Sequence, residues 1–210
     1  MRRKISILLL LVSVMIAEVY VSDYIVNKIE KKYGSFAKNR FILLNETMAK
    51  AQDLNELKKL RIINDFYNEV SYKSDLQNYN LKDYWATPLE FLGRDRGDCE
   101  DYVIAKYFAL KALGIRGKKL YFTYVKSRNF KDPHMVLTYF SSPTATPLIL
   151  DNYNKKILPA SQRKDLIPVY NFNGQTLYIA QKKGLGKKVK LKQSYKEFEQ
   201  LLHNIQRNKL

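Results

Sequence analysis

A chain of 210 residues that is 46% hydrophobic and 13% aromatic can form one domain with a sizeable core, and its sixteen Tyr and ten Phe exclude a disordered chain. A formal charge of +17 implies attraction to something acidic, an anionic membrane or an acidic protein; with no zinc-finger, helix-turn-helix or RNA-recognition signature, nucleic acid is not expected. The one cysteine excludes an intramolecular disulfide and a multi-cysteine zinc site.

The N-terminus reads as an export signal. Arg2, Arg3 and Lys4 precede an uncharged run over residues 5–17, which suits the apolar core of a signal peptide and is short for a membrane span. Ala17 is a candidate cleavage site, although Met15 two positions earlier is a poor residue for one. Val19, Tyr20, Val21, Ile25 and Val26 prolong the apolar character, which keeps an uncleaved anchor open. Residues 1–22 are thus expected to be a signal peptide or membrane anchor. Residues 23–210 are expected to be a single domain working outside the cytoplasm.

Phe36, Phe41, Leu43, Leu44 and Met48 predict a helix over 36–49. A second is predicted over 54–70, where Leu54, Leu57, Leu60, Ile63, Phe66 and Tyr67 make one apolar face. Together they form an N-terminal helical part, 36–70. Residues 71–82 are polar and read as a loop. Pro88 pushes residues 85–87 towards an extended or turning path. Residues 93–98 read as a tight loop, after which a helix opens. Asp98 is a good N-cap, with Asp101 three residues on completing a capping-box pattern. Apolar residues cover most of this helix's circumference, so it is expected to be buried, and Gly114 is its natural stop. Strands are predicted over 120–125, 134–140, 147–150 and 177–180, the last after the turn Asn173-Gly174. The core of the domain is placed at 83–180. A basic tail and an amphipathic helix from about Tyr195 occupy 182–210, with Lys182, Lys183, Lys187, Lys188, Lys190 and Lys192 the densest charge. That stretch reads as a solvated face or as a docking surface for an acidic partner. Helices, one buried helix and then an antiparallel sheet make the class α+β.

Cys99 would be the first residue of the buried helix. Free N–H groups and the positive end of the helix dipole favour a thiolate there, and the thiolate is the reactive form. His134 begins a predicted strand and Asp151 ends the next, so antiparallel pairing can set them side by side. A Cys at a helix start, a His on one strand and an acid on its neighbour is the usual arrangement of cysteine hydrolases. The other histidine, His203, lies on the C-terminal helix and is given no role.

At these residues the sequence resembles a family. The stretches Asp83-Tyr-Trp-Ala-Thr-Pro-Leu-Glu-Phe91, Gly97-Asp-Cys-Glu-Asp-Tyr102, Ile104-Ala-Lys-Tyr-Phe108, His134-Met-Val-Leu137, Leu150-Asp-Asn152 and Asp165-Leu-Ile-Pro-Val-Tyr170 look like the bacterial transglutaminase-like cysteine proteases of the LapG type. The resemblance runs from about residue 40 to 180 and implies a papain-like/transglutaminase-like fold with a catalytic triad of Cys99, His134 and Asp151. It further implies a periplasmic protease that cuts a large cell-surface adhesin near its N-terminus, at an Ala-Ala pair, to release cells from a biofilm. An inner-membrane cyclic-di-GMP receptor would act as its inhibitor. It implies Ca2+ as cofactor, held by position on Asp98, Glu100 and Asp101. Elementary electrostatics agrees, because each carboxylate about 6 Å from a thiol opposes its ionisation by roughly 0.7–3 kcal/mol. A hard cation that prefers oxygen would cancel them. Trp85 could line the cleft or supply an N–H near the oxyanion, with the Cys99 backbone N–H as second donor. A transglutaminase-like acyltransferase on the same triad is the alternative activity.

Overall fold

In a computed structural model of the chain, residues 20–129, 131–174, 176–181, 183–189 and 196–210 are described. The apolar run 5–17 and Lys182, Lys190 and Lys192 lie outside the described residues. Among the described residues, no helix is long and apolar enough to cross a membrane.

Three helices begin the domain: α1 Asp23–Tyr33, α2 Ser35–Ala51 and α3 Glu56–Tyr67. Gly34, with φ +87°, turns the chain between α1 and α2, a conformation that suits glycine. The Asn55 side chain caps α3 by accepting the Lys58 N–H at 3.0 Å. Residues 71–82 hold a short strand β1 (Ser71–Tyr72) and a helix α4 (Asp75–Tyr79) rather than a plain loop. Thr87 is extended, as the following proline requires. Pro88 then opens α5 (Pro88–Arg94), because the first helical position has no use for its missing N–H. Thr87 and Glu90 bond each other's backbone N–H at 3.0 Å, a complete capping box. Strand β2 (Arg96–Gly97) pairs in parallel with β1, and α6 (Cys99–Ala112) follows. Gly114 at φ +87° ends α6, with Ile115 N–H returning to the Leu110 carbonyl at 3.0 Å.

The remaining strands are β3 Leu120–Ser127, β4 Pro133–Tyr139, β5 Leu148–Leu150, β6 Leu158–Pro159, β7 Leu166–Phe172, β8 Leu177–Ile179 and β9 Lys187–Val189. They form one sheet in the order β6-β5-β4-β3-β7-β8-β9, every neighbour antiparallel. Helix α7 (Lys196–Gln206) closes the chain. The helices cover one face of the sheet. Phe41, Leu60, Phe91, Ile104 and Leu110 meet Phe122, Leu137, Leu150 and Phe172 in the main core. Each such side chain contributes about 1.5–3 kcal/mol on burial. Val125, Val136, Ile149 and Leu166 form a smaller cluster on the opposite face. The α+β class and the buried central helix read from the sequence are those observed.

Candidate active site

Helix α6 begins at Cys99 because three features converge. Gly97 comes so close to Phe91 and Asp101 that a Cβ there would lie 2.6 Å from the Phe91 ring. Asp101 reaches back to accept the Asp98 N–H at 3.3 Å. The β1–β2 pairing fixes the approach. The sulfur lies against β4, where the backbone of Met135 hydrogen-bonds it. Met135 directly follows His134, so the sulfur and the imidazole stand at the same end of one strand.

His134 Nε2 and Asp151 Oδ1 are 2.8 Å apart, and both residues are almost fully buried. The pairing follows from register. Strands β4 and β5 match Leu137 with Leu150, so the residues just beyond the ladder converge. With Nε2 given to the carboxylate, Nδ1 is the nitrogen through which the ring can exchange a proton with the sulfur. The ring stands edge-on to Tyr153, with centroids 5.2 Å apart.

Asp151 has a partner, in a stretch that carries the family resemblance, to which the sequence assigns no role. Arg163, buried to 4% exposure, donates from Nη2 to Asp151 Oδ2 at 2.7 Å. Asp165 aligns that guanidinium with two bonds of 3.0 and 2.8 Å. Burial alone would raise the Asp151 pKa. The bonds and charges of His134 and Arg163 outweigh it and bring the carboxyl down to about 2. The carboxylate is therefore ionised across the physiological range.

The acidic surroundings of Cys99 are arranged differently from the expected set. Oxygens of Asp75, Asp98 and Glu100 lie within 4.8 Å of one another. Asp101 does not join them. It is fully buried, its Oδ1 taken by the Ala86 N–H at 3.0 Å and its Oδ2 by Asp98, so it braces the loop. Asp75, from the start of α4, stands in its place. Its pKa is raised to about 7 and that of Asp98 to about 8, by burial first and then by the neighbouring carboxylates. Asp75 Oδ1 and Asp98 Oδ1 are buried without a hydrogen-bond partner. Two orphaned oxygens in a crowded carboxylate cluster fit a hard divalent cation, since calcium takes oxygen ligands. Cys99 donates its S–H to Glu100 Oε2 at 3.1 Å. Burial, then the Glu100 and Asp98 charges, push its pKa well above the ordinary thiol range.

Two tyrosines lie within electrostatic reach of Cys99. The Cys99 and Asp98 charges bear on Tyr72, which packs on Tyr153 with centroids 5.8 Å apart. Tyr124 stacks on Tyr170 at 5.0 Å and feels the Cys99 charge as well. Trp85 is partly buried, stacked on Phe122 at 6.2 Å, and its side chain hydrogen-bonds Asp83. His203 is exposed on α7.

Comparisons with known proteins give the family. The profile of the bacterial transglutaminase-like cysteine proteinases (BTLCP) matches residues 40–165. Calcium-bound LapG of Legionella pneumophila is similar over 88% of this chain and 99% of its own, at 32% identity and a TM-score of 0.75. A second Legionella pneumophila LapG structure covers 86% of this chain and 97% of its own, with 34% identity and a TM-score of 0.70. The EGTA-treated form covers 74% and 86%, with 38% identity and a TM-score of 0.66. No curated protein matches. With more than half of the chain inside the profile and the fold shared along nearly all of it, the chain belongs to the bacterial transglutaminase-like cysteine proteinases and is a cysteine peptidase of transglutaminase-like fold.

Proposed function

We propose that the chain is a calcium-dependent endopeptidase of the periplasm. Cys99 is its nucleophile, His134 its base and Asp151 the group that orients the base. The buried 2.8 Å contact between His134 and Asp151, set beside a lone sulfur at a helix start, carries this reading. Asp151 holds the proton on Nε2, which leaves Nδ1 to take the thiol proton. The Cys99 sulfur attacks the scissile carbonyl. The developing oxyanion falls at the start of α6, where the Cys99 N–H has no helical acceptor. His134 returns the proton to the leaving amine, and then activates the water that opens the thioester.

Asp75, Asp98 and Glu100 would hold the cation. Calcium bound there supplies positive charge beside the sulfur, which favours the thiolate. The chain's own residues explain why that matters: Glu100 competes with His134 for the thiol proton and the Asp98 carboxylate also repels a thiolate. The likeness to a LapG solved in calcium-bound and EGTA-treated forms supports this.

The substrate proposed is a large cell-surface adhesin, cut near its N-terminus at an Ala-Ala pair so that cells leave a biofilm. An inner-membrane cyclic-di-GMP receptor is the proposed inhibitor. Incubation of the chain with an adhesin fragment and a labelled amine tests the whole reading. Cleavage that is lost in Cys99→Ala and in excess EGTA is the expected result. Amine incorporation without cleavage would show an acyltransferase instead, and full cleavage by Cys99→Ala would end the assignment.

A further inference from the structure

We propose that Lys106 is a positioning residue, which fixes Asp151 through its backbone and so sets the imidazole of His134. The inference rests on the reading of Cys99, His134 and Asp151 as the reacting set.

Lys106 lies seven residues after Cys99, two turns along the same face of α6. It is only 1% exposed. A lysine so buried is rare and tolerable only when its ammonium is well paired. Its Nζ donates to Asn64 Oδ1 at 3.0 Å, to Asn68 Oδ1 at 2.7 Å and to the Asp151 carbonyl at 3.4 Å. Three N–H bonds thus meet three acceptors. A neutral amine has two hydrogens and a lone pair, and would turn that lone pair on an oxygen. The pocket gives the ammonium an acceptor for each of its hydrogens.

The placement answers a need of Asp151. The β4–β5 ladder ends at Leu137 and Leu150, so Asp151 follows the last paired residue. Lys106 and Asn68 supply donors to its carbonyl instead, the Asn68 amide at 2.9 Å. Asn64 donates to the Lys155 carbonyl at 2.8 Å and holds the loop that follows. One helix therefore carries the nucleophile at its first residue and, two turns on, the anchor of the acid. The charged groups bearing on Lys106 are Asp151 and Asp65, which favour the ammonium, and Lys155, which opposes it; the Tyr102 ring lies 5.8 Å away. Burial is the largest influence and pulls the pKa down to about 7.

The test uses the calcium-loaded chain labelled with ¹⁵N at histidine. His203, exposed on α7, is the internal reference. Lys106→Met keeps the volume and removes the charge and donors. It is expected to move the His134 Nε2–H resonance, and to lower kcat on an Ala-Ala peptide by about ten- to a hundredfold with KM held within about twofold. A Lys106→Met chain that melts lower but keeps the resonance and kcat overturns the proposal, since the lysine would then serve stability alone. If that variant does not fold, Lys106→Gln decides. It keeps one amide donor but loses the charge and the reach to three acceptors, so the resonance should move, and an unmoved one overturns the proposal. Full activity in His134→Ala would instead sink the triad reading, and the resonance comparison would still report whether Lys106 holds Asp151.

Discussion

Arg163 shows how much of the site depends on one side chain. It neutralises Asp151 where water cannot, and Asp165 keeps it in place. Removing one partner of a buried pair leaves an uncompensated charge, at about 3–5 kcal/mol. Arg163→Gln is therefore expected to lower the thermal midpoint and to reduce kcat. The pH dependence follows from the depressed carboxyl. Folded Asp151 titrates near about 2 instead of the ordinary 3.8, so the folded state binds fewer protons in that window. The stability it contributes is full above the ordinary value and is lost as pH falls through the lower one. In Arg163→Gln that loss should begin at higher pH, as melting curves in acid would record. Arg163 opens a family-like stretch, but its role was not legible because only the fold brings it to Asp151. An arginine next to a lysine in a basic chain carries no local mark of burial.

At the scale of elements, the first turn of α6 and the start of α4 make one acidic unit. Folded Asp75 and Asp98 titrate near about 7 and about 8, well above the ordinary 3.8. Between these limits the folded state binds more protons than the unfolded one. Metal-free stability is therefore expected to fall as pH rises through neutrality. Calcium competes with those protons, so the gap in melting temperature between calcium-loaded and EGTA-treated protein should widen over about pH 5.5 to 8. A gap that narrows would count against a cation at this cluster. Long periodic elements were legible in the sequence: α2, α3, α6, β3 and β4 lie where their patterns place them. Of the short ones, β5 and β8 follow turn signals and were legible, whereas β1, β2, β6, β9 and α4 were not. Helix α4, which brings in Asp75, is five residues long and has no room for a periodic face. Strand β7 carries Pro168, which speaks against a strand, yet the pairing shifts register between Tyr124 and Val125 and so tolerates it. Helix α1 was hidden by its continuity with the apolar N-terminal run.

For the whole molecule, a charge of +17 acts beyond any single contact. Lys187 and Lys188 sit exposed on β9, an edge strand, where charge also hinders pairing with other chains. If the field steers an acidic substrate, kcat/KM on an acidic peptide should fall between low and physiological salt, where the screening length is about 8 Å. A neutral peptide of the same scissile pair should show little change. Equal salt dependence for both would assign the charge to another partner.

The hydrogen bond from Cys99 to Glu100 has one more consequence. A sulfur kept as S–H reacts poorly with peroxides and with other disulfides, because oxidation proceeds through the ionised form. The same carboxylates that raise its pKa thus shelter the sulfur. Chelated enzyme exposed to hydrogen peroxide should keep more of its recoverable activity than enzyme oxidised with its calcium in place.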